Sequence, residues 1–388
     1  MKFKRIFLMV LDSVGVGEAD DAIKYGDVGC NTLGHIKEST DLFIPNLKKI
    51  GFLDTLNMNE DNNVEAYYTI AKPNNAGKDT LNGHYEMVGI TNNIEFKTFN
   101  NGFPNELLDG IEQVSGRRVI GNICGDVENI IKELGERQLN YGSLIIYTSA
   151  DSDLQVAAHE EAIPVSTLYE YCEKIRAITL REDWRVGRVI ARPFTGNNGN
   201  YRLINSARKD YAVKPPKKTI LDSLNENKYN VIALGKMNDI FDKVGINKSI
   251  KASNNMEVIN KLTDIMDKNF TGLCMVNLAD FDSLYGHVRD AEGYAKALEE
   301  LDVEIPMILN KLELDDLLII TADHGNDPTF NGCDHTRENV PVIFYSRGFT
   351  EPKRLPVLTT LASIGATIAD NFEVDSPEIG ESQLDKLI

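Results

Sequence analysis

The stretch TADHGNDPTFNGCDHTRENVPV, residues 321–342, concentrates side chains that could bind a metal or move a phosphate. Asp323 and His324 are adjacent where an apolar run ends, and His335 follows beside Asp334. A second stretch, LADFDSLYGHVRD at 278–290, sets Asp282 five residues before His287, again just past an apolar run. Asp280 competes with Asp282 for the same role. The third stretch, LDSVGVGEADDA at 11–22, puts Asp12 before small residues that let the backbone approach a ligand closely. Its Glu18, Asp20 and Asp21 read as solvated loop charges. Asp12, Asp282, His287, Asp323, His324 and His335 together form a carboxylate and imidazole set with no thiolate. Such a set suits zinc, manganese or magnesium-like ions. Six donors are too many for one tetrahedral site and match two ions. A pair ~3.5–4 Å apart forms a clamp for in-line transfer at phosphorus.

Such a clamp needs a nucleophile, and AGKDTLNGHYEMVG, residues 76–89, offers the hydroxyl of Thr80. Two readings stand side by side. Thr80 is an ordinary helix N-cap, or its hydroxyl loses a proton on a metal and attacks phosphorus. A helix starting there would point free amide N–H groups at a phosphate, so the two readings are compatible. Lys78, Asp79 and His84 are supporting candidates.

The elements that must position these groups are legible as short apolar runs. RIFLMVL (5–11) ends at Asp12, GLCMVNLA (272–279) at Asp280, DLLIITA (316–322) at Asp323 and NVIALG (230–235) at Lys236. Unalternating runs of this length suit strands buried on both faces of a parallel sheet. A helical pattern spans 292–312. The fold class is therefore α/β, with a central mostly parallel sheet that delivers polar residues at its strand ends, where open α/β sheets place their sites. Strands are also expected near 143–148 and 186–191, before the Gly- and Asn-rich TGNNGN at 195–200. The motif-bearing strands flank this middle section. The chain is thus expected to form a catalytic core from 1–95 and 213–388, with a smaller α/β cap, 96–212, inserted. VKPPKK (213–218) is the return linker.

Bulk properties narrow the function. With 388 residues, 42% hydrophobic and 26% charged, the chain can build a sizeable core. A net charge of −18 argues against nucleic acid as a partner. No apolar run approaches the ~20 residues of a membrane span, and the basic then apolar start ends at Asp12 without a small-residue cleavage site. Five scattered cysteines without a CxxC pair fit a reducing compartment. A cytoplasmic protein, off the membrane and monomeric, is expected.

Read in order, LDSVG, GKDT.NGH, FDSLYGH, TADHGNDP and DHTRE.VPV resemble the phosphopentomutases of the alkaline phosphatase superfamily. The match extends through YTSADSDLQVAAHEE, VGRVIARPF, YAVKP and IALGKMNDIF, over nearly the whole chain. The resemblance implies two Mn²⁺ ions, with Zn, Mg or Co sharing the ligand set. One would be held by Asp12, Asp323 and His324, the other by Asp282, His287 and His335, with Thr80 carrying the phosphoryl group. It implies Lys236, Arg188 and Arg208 as substrate-phosphate ligands and Asp151 as the partner of the sugar hydroxyls. The activity implied is interconversion of ribose 1-phosphate and ribose 5-phosphate, and of the 2-deoxy forms, primed by a sugar bisphosphate such as glucose 1,6-bisphosphate. Asn82, Asp153 and Ala207 depart from the family pattern. Alternatives are a phosphoglycerate mutase or a phosphatase of the same superfamily, or a metal-binding protein without activity.

Overall fold

The apolar runs fold as the sequence reading expects, and they order the rest of the chain. A computed structural model describes residues 1–58, 63–91, 96–149 and 151–387. Its strands are β1 (Arg5–Leu11), β2 (Tyr67–Ala71), β3 (Val119–Cys124), β4 (Leu144–Thr148), β5 (Asp153–His159), β6 (Arg188–Asn197), β7 (Asn200–Leu203), β8 (Lys209–Ala212), β9 (Asn230–Leu234), β10 (Lys248–Ile250), β11 (Gly272–Leu278), β12 (Asp316–Thr321) and β13 (Val340–Tyr345). The chain divides into two compact units, Met1–Ile94 with Pro215–Ile388, and Glu95–Lys214. The expected boundary at residue 95 falls within 92–95, outside the described residues.

The larger unit is built on a seven-stranded sheet ordered β10-β9-β11-β1-β12-β13-β2. The first five strands are mutually parallel, and β13 runs antiparallel to both β12 and β2. Every residue of β1, β11 and β12 is buried, as expected of parallel strands covered on both faces. Register places Leu11 opposite Leu278 and Val10 opposite Thr321. The C-terminal ends of β11, β1 and β12 therefore finish side by side, and the residues just beyond them are neighbours in space though about 265 to 310 positions apart. The helix expected over 292–312 spans Ala291–Lys311.

The smaller unit has a six-stranded mixed sheet ordered β3-β4-β5-β6-β7, with β8 paired to β6. Alternation sorts its two faces. Leu144, Ile146, Leu154, Val156, Val189 and Ala191 pack against the helices Asn105–Ser115 and Val165–Ile178. Ile145, Tyr147, Ala157 and Phe194 pack with Ile130 and Ile131 of the helix Val127–Tyr141. The strand expected from 186 begins at Arg188 and runs on to Asn197. TGNNGN is thus the tip of a β6–β7 hairpin closed by Asn197 opposite Asn200. Asn198 and Gly199 take the positive φ such a turn requires. No helix among the described residues is long and apolar enough to cross a membrane.

Candidate metal centre

Each donor is placed by the strand that precedes it. Asp12 leaves the end of β1, and Asp323 and His324 follow β12. Asp282 sits in the single wide turn Phe281–Gly286 after β11, with His287 directly behind it. His335 lies on the loop between β12 and β13. All six are in the larger unit, and all but His287 are buried.

The donors converge in two groups that share Asp282. Ligand atoms of Asp282, His287 and His335 lie within 4.8 Å of one another, as do those of Asp12, Asp282 and His324. Asp282 Oδ2 is 3.1 Å from His287 Nε2, and its Oδ1 is 3.3 Å from His335 Nε2. His324 Nε2 lies 3.4 Å from both Asp12 Oδ1 and Asp323 Oδ2. Asp282 is therefore central, whereas the sequence reading gave it to one ion only. Asp280 turns away: its carboxylate accepts the Asn255 amide N–H at 2.7 Å, at the start of the helix Asn255–Met266.

Hydrogen bonds fix which atoms face the shared space. Nδ1–H of His324 donates to Gly325 O at 3.0 Å and Nδ1–H of His287 to Cys333 O at 2.7 Å. A carbonyl only accepts, so both rings carry a proton on Nδ1, and Nε2 is the atom turned to the carboxylates, where it can exchange its proton for a metal ion. Asp12 Oδ2 accepts from Asn277 Nδ2 at 3.0 Å, Asp323 Oδ1 from Ser13 N at 3.1 Å and Asp282 Oδ1 from Asn326 Nδ2 at 2.8 Å. That leaves Asp12 Oδ1, Asp323 Oδ2 and His335 Nε2 buried with no hydrogen bond. Unpaired buried acceptors are costly unless a cation meets them. These orphaned atoms, the like charges around them and the all-N/O donor chemistry fit divalent metal ions.

The electrostatics of the three carboxylates differ. Burial, then the charge of Asp323, raises the Asp12 carboxyl above its ordinary range. Burial would also raise Asp282, but His287 and His335 hold it well below the usual carboxylate value. Asp323 is likewise buried and lowered by His324 and His84. One carboxylate of the three is strained by its neighbours, while the histidines stabilise the other two.

Thr80 stands at this edge. Its Oγ1 is 3.2 Å from His324 Nε2, and the residue is 5% exposed. The N-cap belongs to Asp79, whose carboxylate accepts Leu81 N at 3.0 Å and Asn82 N at 3.2 Å. Thr80 is thus the first residue inside the helix Thr80–Met87, and its hydroxyl is free of capping duty. Asn82, the departure from the family pattern, braces the cap through Asp79 Oδ2. His84 donates from Nδ1 to Thr80 O at 2.8 Å and lies 3.1 Å from Asp323 Oδ2, so it ties the helix to a metal donor. Lys78 bridges Asp27 at 2.9 Å and Asp334 at 3.2 Å. Asp21, expected in solvent, instead pairs with buried Arg337 at 2.8 Å. A buried guanidinium needs a carboxylate partner.

Of the remaining sequence candidates, Lys236 belongs to the larger unit and Asp151, Arg188 and Arg208 to the smaller one. Lys236 directly follows Leu234 and Gly235 at the end of β9, the strand beside β11. In the smaller unit, Arg188 opens β6 and pairs with Asp151, with Asp210 at 3.9 Å. Burial works against the Arg188 charge, and Asp151 and Asp210 outweigh it. Arg208 grips Asp210 through two bonds of 2.8 Å. The carbonyl of Ala207, just before Arg208, accepts from Tyr169 Oη at 2.8 Å. Asp153 is buried, accepts from Thr148 Oγ1, Ser149 Oγ and Gln155 Nε2, and is raised by burial and by Asp151. Sequence reasoning missed Asn277 and Asn326. Asn277 did leave a signal, as the one amide inside the apolar run GLCMVNLA.

A model of the Metalloenzyme superfamily matches residues 4–376. Among solved structures, the chain is similar to a phosphoglycerate mutase of Leishmania mexicana, at 12% identity over 98% of this chain and 97% of that one, with a TM-score of 0.49. It is also similar to the PH0037 protein of Pyrococcus horikoshii, at 14% identity over 91% and 89%, with a TM-score of 0.45. A third is an alkaline phosphatase superfamily protein of Vibrio parahaemolyticus, at 12% identity over 99% and 70%, with a TM-score of 0.45.

Proposed function

The chain belongs to the Metalloenzyme superfamily, and on that premise we propose that it is a phosphopentomutase. It would interconvert ribose 1-phosphate and ribose 5-phosphate, and the 2-deoxyribose phosphates, through phosphorylated Thr80. The observation that carries this reading is a buried threonine hydroxyl, free of capping duty, 3.2 Å from His324 Nε2 beside the metal donors. The ordered run of motifs from LDSVG to DHTRE supports the pentose substrate.

Phospho-Thr80 donates its phosphoryl group to the free hydroxyl of the bound sugar phosphate. The bond from Thr80 Oγ1 to phosphorus breaks as the bond from the sugar oxygen forms, giving a 1,5-bisphosphate. The reverse step at the other end returns a phosphoryl group to Thr80. The proton lost by one hydroxyl is regained by the other, so the cycle is proton-neutral. Two Mn²⁺ ions, or Zn, Mg or Co in their place, when bound by Asp12, Asp323, His324, Asp282, His287 and His335, would neutralise phosphate oxygens and favour the threonine alkoxide. The Leu81 and Asn82 amides at the start of the helix Thr80–Met87 are taken by the Asp79 carboxylate, so the phosphate is assigned to the ions and basic side chains rather than to helix amides. Lys236, Arg188 and Arg208 are proposed as phosphate ligands and Asp151 as partner of the sugar hydroxyls. A dephosphorylated enzyme cannot start the cycle, so a sugar bisphosphate such as glucose 1,6-bisphosphate is the activator.

The test is a coupled assay of ribose 1-phosphate conversion with Mn²⁺, with and without glucose 1,6-bisphosphate, run beside 3-phosphoglycerate and a general phosphatase substrate. Conversion of the pentose phosphate, phosphate on Thr80 by mass spectrometry, and loss of both in Thr80→Ala are expected. Full mutase activity in Thr80→Ala, or phosphate release without isomerisation, refutes the reading.

A further inference from the structure

The Arg289 side chain makes four hydrogen bonds among the described residues, and every one ends on the scaffold of a candidate metal donor. Its Nε–H donates to Gly332 O at 2.6 Å and its Nη2–H to Asp334 O at 2.7 Å. Those two carbonyls flank Cys333 O, the acceptor that sets the His287 ring, and Asp334 directly precedes His335. Nη1–H donates to Gly286 O at 2.8 Å, at the end of the turn that holds Asp282. Nη1–H also donates to Asn326 Oδ1. With its oxygen held there, the Asn326 amide must turn Nδ2 to Asp282 Oδ1, 2.8 Å away.

A second observation points the same way. Arg289 has φ +59, the left-handed region where glycine or asparagine sits most easily. An arginine in that conformation carries backbone strain that a glycine would not, which raises the question of what its side chain does. The planar, forked guanidinium is suited to holding these acceptors, because its donors lie in fixed directions and cannot lose their proton.

We propose that Arg289 is a positioning residue that sets the orientation of Asp282, His287 and His335 as metal donors. It acts through Asn326, through the carbonyls of Gly332 and Asp334, and through Gly286, and touches neither metal nor substrate. The role rests on the reading of these donors as a metal site. Removing a partner that orients a metal ligand typically weakens metal binding by about 10–100-fold.

The experiment titrates metal-free protein with Mn²⁺ by calorimetry and records its thermal unfolding. Arg289→Gly is the informative variant, since it relieves the backbone while deleting the side chain. It is expected to remain folded when metal-free, with the relieved backbone offsetting part of the lost hydrogen bonds, and to bind Mn²⁺ about 10–100-fold more weakly at the site of Asp282, His287 and His335. Arg289→Gln should show the same loss. Arg289→Lys, which keeps the charge but not the fork, should recover only part of it. A parent that binds Mn²⁺ and variants that match its affinity overturn the role of Arg289 alone. A parent that takes up no divalent cation overturns the metal reading and this role with it. Full recovery in Arg289→Lys overturns the claim that the forked geometry matters.

Discussion

Gly83 in the helix Thr80–Met87 rests on the main chain of Asp323 so closely that there is no room for a methyl group. A Cβ at this position would lie 2.1 Å from Asp323 O and 2.7 Å from its carbonyl carbon, where ordinary contact begins near 3.4 Å. Helix and strand end would have to part by roughly 1 Å. Neither side yields easily: the helix is buried at all eight positions, and Asp323 is anchored by Ser13 N. Two effects of opposite sign act on Gly83→Ala. Alanine favours the helix by about 1 kcal/mol. Overpacking a rigid contact costs about 1–3 kcal/mol, and here the colliding atoms are backbone, which puts the cost at the upper end. A net destabilisation of about 1–2 kcal/mol is expected. The functional loss should be larger, because Thr80 lies one turn earlier on the same helix, and a ~1 Å misplacement costs about 100-fold in rate. Calorimetric unfolding of the metal-free protein and turnover of the phosphate ester the parent accepts are the two readouts. Gly110→Ala in the smaller unit is the control. Its Cβ would meet the flexible tip of Ile178 at 3.3 Å and the edge of Trp184 at 4.0 Å, so stability within about 1 kcal/mol of the parent and full activity are expected. A Gly83→Ala protein as stable as the parent, with turnover within about twofold, would show that the contact does not hold Thr80 in register.

Two further outcomes follow from buried charge. Chelation of divalent metal should lower the melting temperature, since Asp12, Asp282 and Asp323 are left packed together. Mn²⁺ at about 100 times its Kd should restore about 2.7 kcal/mol; a melting curve indifferent to both chelator and metal would contradict the centre. Glu86 is buried and accepts from Asn74 N, Asn75 N, Thr360 Oγ1 and Leu361 N, so Glu86→Gln leaves donors facing an NH₂ group and should cost about 2 kcal/mol. Burial, opposed by these bonds, raises the Glu86 carboxyl above its ordinary value. The folded state therefore keeps this proton to higher pH than the unfolded chain. The advantage of Glu86 over Gln should shrink as pH rises from the ordinary carboxylate range through the raised value, and denaturant titrations across that range measure it. An advantage that grows with pH would reverse the assignment.

Much of the larger unit was legible because its central strands β1, β11 and β12 are mostly apolar. RIFLMVL, GLCMVNL and DLLIIT need no partner to be recognised, and the polar residue after each marks a strand end. The smaller unit was harder. β5 reads DLQVAAH, and its Asp153, Gln155 and His159 are buried on polar partners rather than exposed, so alternation does not reveal its inner and outer faces. β2 and β13 were missed because their antiparallel pairing is set by the sheet, not by local pattern. Asp21 looked solvated because its partner, Arg337, is 316 residues away.

The α/β class was carried by the sequence alone, and so was the choice of candidate donors and of Thr80 as candidate nucleophile, since residue type and the polar ends of apolar runs are local properties. Which donors share an ion-sized space was decided only by the tertiary structure. Parallel register between β11, β1 and β12 brings Asp12, Asp282 and Asp323 to one edge and makes Asp282 central to both groups. The same holds for the cap: TLNGH could not say that Asp79 takes the N-cap and leaves the Thr80 hydroxyl to His324. Hydrogen bonds have direction, and direction exists only once the backbone is placed.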